Sequence, residues 1–282
     1  MSGAIRNIIH DFVPPVAGRL WHNLKTNRRN TIWFEGPFKS WDDATRVSTG
    51  YDADVILQRV KESVLKVRSG QAVFERDSVV FDTPEYPFPV IASMLRAATA
   101  NAGMLSVLDF GGSLGSTYFQ CREFFRELRA VKWSIVEQQQ FVHCGQQLLQ
   151  DDILRFYESI EECFRQERPT VVLLSSVLQY LPRPWEILQE IRRRNVSYVI
   201  IDQLPVHDLR DERVVVQHVP ESIYSASYPF RIFPRGGVEQ VFAGAYRSPI
   251  EFDTVRFPEL EQQCKARYAG MLFVRSDIHS AS

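Results

Sequence analysis

The order of apolar runs along this 282-residue sequence predicts a doubly wound α/β fold with a mostly parallel sheet. Three observations carry that reading. Short apolar runs alternate with helix-period segments from Gly103 to about Asp202. Such alternation implies βαβ units, with both faces of the sheet covered by helices. The runs themselves (LSVLDF, WSIVE, TVVLLS, VSYVIID) are nearly continuous rather than alternating, as strands buried on both faces require. Finally, the first run ends in a glycine-rich turn, VLDFGGSLGST, which is where an open α/β sheet places a ligand.

In order, the predicted strands are Leu105–Phe110, Lys132–Glu137, Leu154–Glu158, Thr170–Ser175 and Val196–Asp202. The helices between them are Tyr118–Leu128, Phe141–Leu149, a segment ending at Gln166, and Pro184–Arg194. Beyond Gln203 the pattern loosens, and YPFRIFPRGG reads as an aromatic loop. Two later strands, around Tyr246–Asp253 and Ala269–Ser276, are expected to close the sheet as an antiparallel edge pair.

The first hundred residues lack this rhythm. Residues 1–25 show helical spacing, interrupted at Pro14-Pro15, where proline must kink or break a helix. Their polar side carries Arg6, Arg19 and Lys25, so peripheral membrane contact joins docking on the domain as a reading. Residues 31–50 are aromatic, with turn signals at Gly36-Pro37 and Gly50; 51–68 and Pro89–Ala100 have helical periodicity. The expected division is a mostly helical extension or cap over 1–98 and a ligand-binding domain over 99–282, with the cap covering the cleft.

Composition narrows the function. A hydrophobic fraction of 45% and a charged fraction of 24% are ordinary for a globular protein. A formal net charge of -1 gives no basic excess for nucleic-acid phosphates, so no nucleic-acid partner is expected. Cys121, Cys144, Cys163 and Cys264 are widely separated, with neither CxxC nor Cys/His ligand spacing, so no metal site is expected. There is no apolar run long enough to span a bilayer and no secretory leader, which points to a cytoplasmic protein. Nothing in the sequence fixes an oligomeric state.

The glycine-rich turn identifies a cofactor class. Gly111, Gly112 and Gly115 permit a tight turn and close approach of backbone N–H groups, including those of Ser113 and Ser116 at the start of the next helix. A dinucleotide site wants G-x-G-x-x-G, but Gly111 is followed by Ser113 and Ser116 or Thr117 where two of those glycines belong. S-adenosylmethionine has no pyrophosphate and carries an ammonium and a sulfonium, so Asp109 at the strand end suits it electrostatically. Glu137 ends the second strand, 26 residues after Gly111, and with Gln138 suits a ribose diol. Ser175 and Ser176 end the fourth strand where the cofactor's amino-acid portion would lie, and Gln179 and Tyr180 follow toward the acceptor. For a general base the candidates are Tyr180 and, after the fifth strand, Asp202, His207 and His218. Arg213 and Arg231 are candidates to hold an anionic acceptor group.

With these residues in place, the chain resembles class I S-adenosylmethionine-dependent methyltransferases, which share the hhDhGGxxG loop, the acidic residue after strand two and the SxVLxxL segment seen here as SSVLQYL. More narrowly it is similar to a bacterial methyltransferase family found among surface-polysaccharide biosynthesis genes. The segments PFKSWDDA, GYD, FERDSV, VLDFGGSLGS, WSIVEQ, SSVLQYL, and VQHVP with SYPFRIF carry that likeness. The resemblance implies a Rossmann-like methyltransferase sheet, S-adenosylmethionine as cofactor, and a small or glycan-type acceptor. Two rivals remain at this point. A nucleotide-sugar oxidoreductase or epimerase shares the fold class, but Tyr180 is followed at the fourth position by Pro184 rather than lysine. A non-catalytic scaffold of the same fold would have little use for Asp109 and Glu137.

Overall fold

A computed structural model describes residues 31–50, 53–68, 74–76, 79–81, 85–220, 226–254 and 256–278. The expected helices of residues 1–25 lie outside the described residues. In chain order the elements begin with β1 (Trp33–Phe38), α1 (Trp41–Val47), α2 (Ala53–Arg68), β2 (Phe74–Arg76), β3 (Val79–Phe81) and α3 (Phe88–Ala100). Next come β4 (Met104–Phe110), α4 (Ser116–Cys121), β5 (Ala130–Val136), α5 (Gln139–Leu148), β6 (Leu154–Tyr157), α6 (Ile160–Gln166), β7 (Val171–Ser175) and α7 (Pro184–Arg194). The chain closes with β8 (Tyr198–His207), β9 (Arg213–Val219), β10 (Ala226–Pro234), α8 (Arg235–Phe242), β11 (Ile250–Phe252), α9 (Pro258–Cys264) and β12 (Arg267–Val274).

The main sheet runs β6-β5-β4-β7-β8 with every neighbour parallel, and continues through antiparallel β12 to β11. The fold is therefore the mixed, mostly parallel α/β architecture that the sequence predicts. Its strands show why their sequences are continuously apolar. In β4, Leu105 and Val107 enter one core while Leu108 and Phe110 enter the other. Val171 and Leu173 divide from Val172 and Leu174 in β7, as do Tyr198 and Ile200 from Val199 and Ile201 in β8. Successive side chains point to opposite faces, so a strand covered on both sides must be apolar at every position. Each fully buried Val, Leu or Ile contributes about 1.5–3 kcal/mol. The covering helices supply matching stripes: Val90, Ile91, Met94 and Ala97 from α3 on one face, Ile187, Leu188 and Ile191 from α7 on the other.

The strand order reverses between β4 and β7, because the chain goes from β4 to β5 and β6 on one side and to β7 and β8 on the other. At such a switch point the loops leave in opposite directions and open a crevice at the carboxyl ends. The turn after β4 sits in that crevice.

Three expectations are corrected. The region after Gln203 is regular, since β8 continues to His207 and the YPFRIFP segment is part of strand β10 rather than a loop. There β10 pairs in parallel with the end of β8, through Phe233–Val206 and Pro234–His207, and β9 pairs antiparallel with β10. Second, the N-terminal stretch is not only helical and irregular: Trp33–Phe38 is a strand, paired antiparallel with β9. The register shift between Glu35 and Phe38 breaks the alternation that would have marked it. Third, the helix predicted over Tyr118–Leu128 is α4 followed by a 3-10 turn at Arg122–Phe125. Across positions 98 and 99, α3 runs unbroken, and its Ala97 and Ala98 share one core with Val107 of β4.

The β1-β9-β10 extension is sandwiched. Val214 and Val216 face Ala44 and Trp41 of α1, while Val215 and Val219 share a core with Tyr180, Phe257 and Leu260. No described helix is long and apolar enough to cross a membrane.

Candidate functional site

The turn after β4 is built from residues in left-handed backbone conformations. Gly111 (φ 73°), Ser113 (φ 55°) and Gly115 (φ 97°) all have positive φ, a region that glycine enters without the steric cost of a Cβ. The Gly111 N–H donates to Val136 O at 2.9 Å, tying the turn to the end of β5. The Gly115 N–H closes it on Gly112 O at 2.9 Å. Asp109 is buried beneath, and its Oδ2 accepts the indole N–H of Trp133 at 3.0 Å. A Cβ at position 112 would lie 2.6 Å from the Asp109 carboxylate. Asp109 thus braces the turn from below. Ser116 opens α4, which is only six residues long.

Beside the turn stands Glu137, just past β5 and almost wholly buried. Its Oε2 accepts the Gln138 N–H at 2.7 Å. Burial pushes its carboxyl up to about 8, against the pull of the Gln138 and Ser113 amides, and the Asp109 charge adds to the rise. Oε1 is buried with no hydrogen-bond partner among the described residues. An unmet buried carboxylate oxygen is costly in a finished core.

Across the crevice, β7 and β8 contribute a second polar group. Ser175 Oγ donates to Asp202 Oδ2 at 3.0 Å, and Gln203 Nε2 donates to the same oxygen at 3.2 Å. Ser176 (φ 54°) donates its N–H to Asp202 O at 2.9 Å, and its Oγ accepts from Gln179 Nε2 at 3.0 Å. Asp202 stands opposite Ser175 in the parallel β7–β8 register, just before an irregularity in β8: Gln203 has φ 54°, and pairing with β12 shifts register between Ala269 and Met271.

The structure brings together Asp109, Gly111, Gly112, Ser113, Gly115, Glu137 and Gln138 on the β4–β5 side, and Ser175, Ser176 and Asp202 on the β7–β8 side. It separates the four base candidates. Asp202 is the one bonded to a residue of the predicted cofactor group. Tyr180 is buried, with its hydroxyl donating to Gln217 Oε1 at 3.3 Å and its ring edge-on to Tyr228 and Phe230. His218 stacks on Trp33 at 3.8 Å and meets Glu35 at 2.9 Å on the far strands of the extension. His207 ends β8, five residues beyond Asp202, roughly 16 Å along an extended chain. Arg231 is also committed elsewhere, to Glu212, Pro182 O and the face of Trp41.

Sequence reasoning missed Trp133 and Gln203. Trp133 looked like one more apolar strand residue, and the role of Gln203 depends on strand pairing. Among the described residues, no group of three His, Cys, Asp or Glu side chains is placed to hold a metal ion.

No protein-family model matches the chain, and no curated protein sequence matches it. Among solved structures it is similar to the N-terminal domain of EvdMO1, crystallised in the presence of S-adenosylhomocysteine and D-fucose. The two are 14% identical, with a TM-score of 0.42 over 80% of this chain and 97% of that one. It is also similar to CalS10, an amino pentose methyltransferase from Micromonospora echinaspora, at 11% identity and TM-score 0.43 over 77% of this chain and 97% of that one. Human N-acetylserotonin methyltransferase is 14% identical at TM-score 0.40, over 80% of this chain and 60% of that one.

Proposed function

We propose that this chain transfers a methyl group from S-adenosylmethionine to a small or glycan-type acceptor, as an O-methylation. The observation that carries this reading is Glu137, a buried carboxylate with one oxygen unmet beside a glycine turn at the switch point. A ribose diol offers two adjacent O–H donors, and a carboxylate can take both at once. The residues fit that group: Glu137 would take the ribose, Gln138 and the Gly111–Ser113 backbone would border it, and Ser175 and Ser176 would meet its amino-acid end. Position 113 is serine, not the glycine a pyrophosphate turn asks for, and this favours a cofactor without a pyrophosphate. When bound, such a cofactor supplies an electrophilic methyl already activated by its sulfonium.

The protein's remaining task is alignment and proton management. Asp202 stands across the crevice, held by Ser175 and Gln203, and is our choice for the group that receives the proton of an acceptor hydroxyl. His207, His218 and Tyr180 are not assigned that role. A surface-polysaccharide setting, and with it a glycan acceptor, rests on the sequence resemblance alone. A cytoplasmic location and the absence of a nucleic-acid partner likewise rest on composition.

Calorimetry with S-adenosylmethionine, S-adenosylhomocysteine and NAD in parallel tests the reading. Micromolar binding of the first two, lost in Asp109→Ala and weakened in Glu137→Gln, is the expected result. Binding of NAD alone would overturn it in favour of an oxidoreductase.

A further inference from the structure

Ser176 and Gln203 sit one step beyond Ser175 and Asp202, which are paired across β7 and β8. Both have φ 54°, and both are buried. A residue with a Cβ enters this region only with backbone strain, which persists where surrounding contacts hold it and is common at functional sites. At Gln203 the conformation brings two neighbouring side chains together. Successive side chains of a regular strand point to opposite faces and do not meet. Gln203 departs from that alternation, and its Nε2 donates to Oδ2 of the preceding residue, Asp202, at 3.2 Å. Ser175 Oγ donates to the same oxygen at 3.0 Å. Both donors thus converge on Oδ2. Oδ1 takes no hydrogen bond from a described residue and is not one of the sealed, unmet polar atoms of the core.

Gln179 joins the two left-handed residues. Its side chain is fully buried, with Nε2 at 3.0 Å from Ser176 Oγ and 3.5 Å from Gln203 O. A carbonyl oxygen only accepts, so it is the Nε2 side of the amide that faces Gln203. Oε1 is left buried and unmet, a cost that an apolar residue of similar size would avoid. What only the amide supplies is the link between the exit of β7 and the irregular residue of β8.

We propose that Gln203 and Gln179 are positioning residues for methyl transfer, fixing Asp202 through Oδ2 so that Oδ1 is the atom that receives the acceptor's proton. The inference rests on the methyl-transfer reading of the crevice. In the step itself the acceptor oxygen forms its bond to the methyl carbon, and the methyl–sulfur bond breaks with its electron pair kept by sulfur. The hydroxyl proton passes to Oδ1 and from there to solvent. With Oδ2 already taken by two donors, the acceptor approaches through a single O–H rather than a bridging diol.

Gln203→Gly is the informative variant, because glycine keeps a left-handed backbone without strain while the donor is lost. The expected result is S-adenosylhomocysteine affinity within about twofold of the parent, an unchanged cofactor KM, and kcat toward free and nucleotide-linked sugars lower by about tenfold. Gln203→Asn, which tolerates positive φ and keeps a shorter amide, should recover part of that loss. Gln179→Leu should lower kcat about threefold, again with KM unchanged. A readout free of turnover is the Gln203 side-chain amide in heteronuclear NMR of the full chain, assigned through its loss in Gln203→Gly. Its bonded proton should be protected from exchange in the parent and lose that protection in Asp202→Ala. Parent kcat in Gln203→Gly, with cofactor still bound, would overturn the positioning role alone. So would a Gln203 amide that exchanges freely or ignores Asp202→Ala. A protected amide in a chain that binds neither S-adenosylmethionine nor S-adenosylhomocysteine would instead overturn the methyltransferase reading, and with it the role given to Oδ1.

Discussion

Gly112 rests on Asp109 so closely that a methyl group on its Cα would come within 2.6 Å of the carboxylate. The contact couples the ligand-facing turn to the buried end of β4. Gly112→Ala must therefore displace either the turn or Asp109, and Asp109 is tied to Trp133. Overpacking of this kind costs about 1–3 kcal/mol. The expected outcome is a thermal midpoint lower by several degrees and loss of S-adenosylhomocysteine binding. Scanning calorimetry and titration calorimetry read the two effects, and an unchanged affinity would mean that the turn does not border the cofactor.

Glu137 sets a pH dependence. Its folded value, about 8, lies above the ordinary 4.5, so the folded state binds the extra proton between those limits. Its contribution to stability is thus fully present below about 4.5 and is lost as pH rises through about 8. Ribose hydroxyls donate to the ionised form, so the cofactor must bind with release of a proton. Affinity for S-adenosylhomocysteine should rise from pH 6 to pH 9, with close to one proton released near pH 6.5. Titration calorimetry in buffers of different ionisation enthalpy measures that number directly. Glu137→Gln should flatten the profile.

Which parts were legible in the sequence follows from how each strand is covered. β4, β7 and most of β8 are buried on both faces, so their apolar runs stood out without any partner being known. The turn after β4 was equally legible, because Gly111 and Gly115 answer a local demand for positive φ. β1 and β10 were not. Gly36-Pro37 falls at the register shift of β1, and Pro229 with Arg231 disguises β10, although Arg231 is buried against Trp41 and Glu212. Asp202 was named as a candidate, but its aim was unreadable. That aim comes from its register opposite Ser175, which exists only through the pairing of β8 with β7.

Trp133 offers a cleaner probe of the site's foundation than Asp109 does. Trp133→Phe keeps most of the packing against Tyr118 and Phe125 but removes the N–H donated to Asp109. Leaving a buried carboxylate one donor short costs about 1–3 kcal/mol. The urea midpoint should fall accordingly with an unchanged slope. Cofactor affinity should drop less than in Gly112→Ala, because the turn itself is not obstructed.

The four base candidates make opposite predictions, and methyl transfer from radiolabelled cofactor to a panel of free and nucleotide-linked sugars separates them. Asp202→Asn keeps a side chain able to accept from Ser175 but loses the capacity to take a proton. Turnover should fall about 10²–10⁴-fold, the usual contribution of a general base, while S-adenosylhomocysteine affinity stays within a few-fold. His218→Gln removes the stack on Trp33 at the far side of the extension and should leave turnover within twofold. Tyr180→Phe gives up one long hydrogen bond to Gln217, worth about 1 kcal/mol of stability, and should likewise spare the chemistry. If Asp202→Asn were as active as the parent while His207→Gln were dead, the acceptor would have to lie at the outer end of β8. The crevice around Asp202 would then serve the cofactor alone.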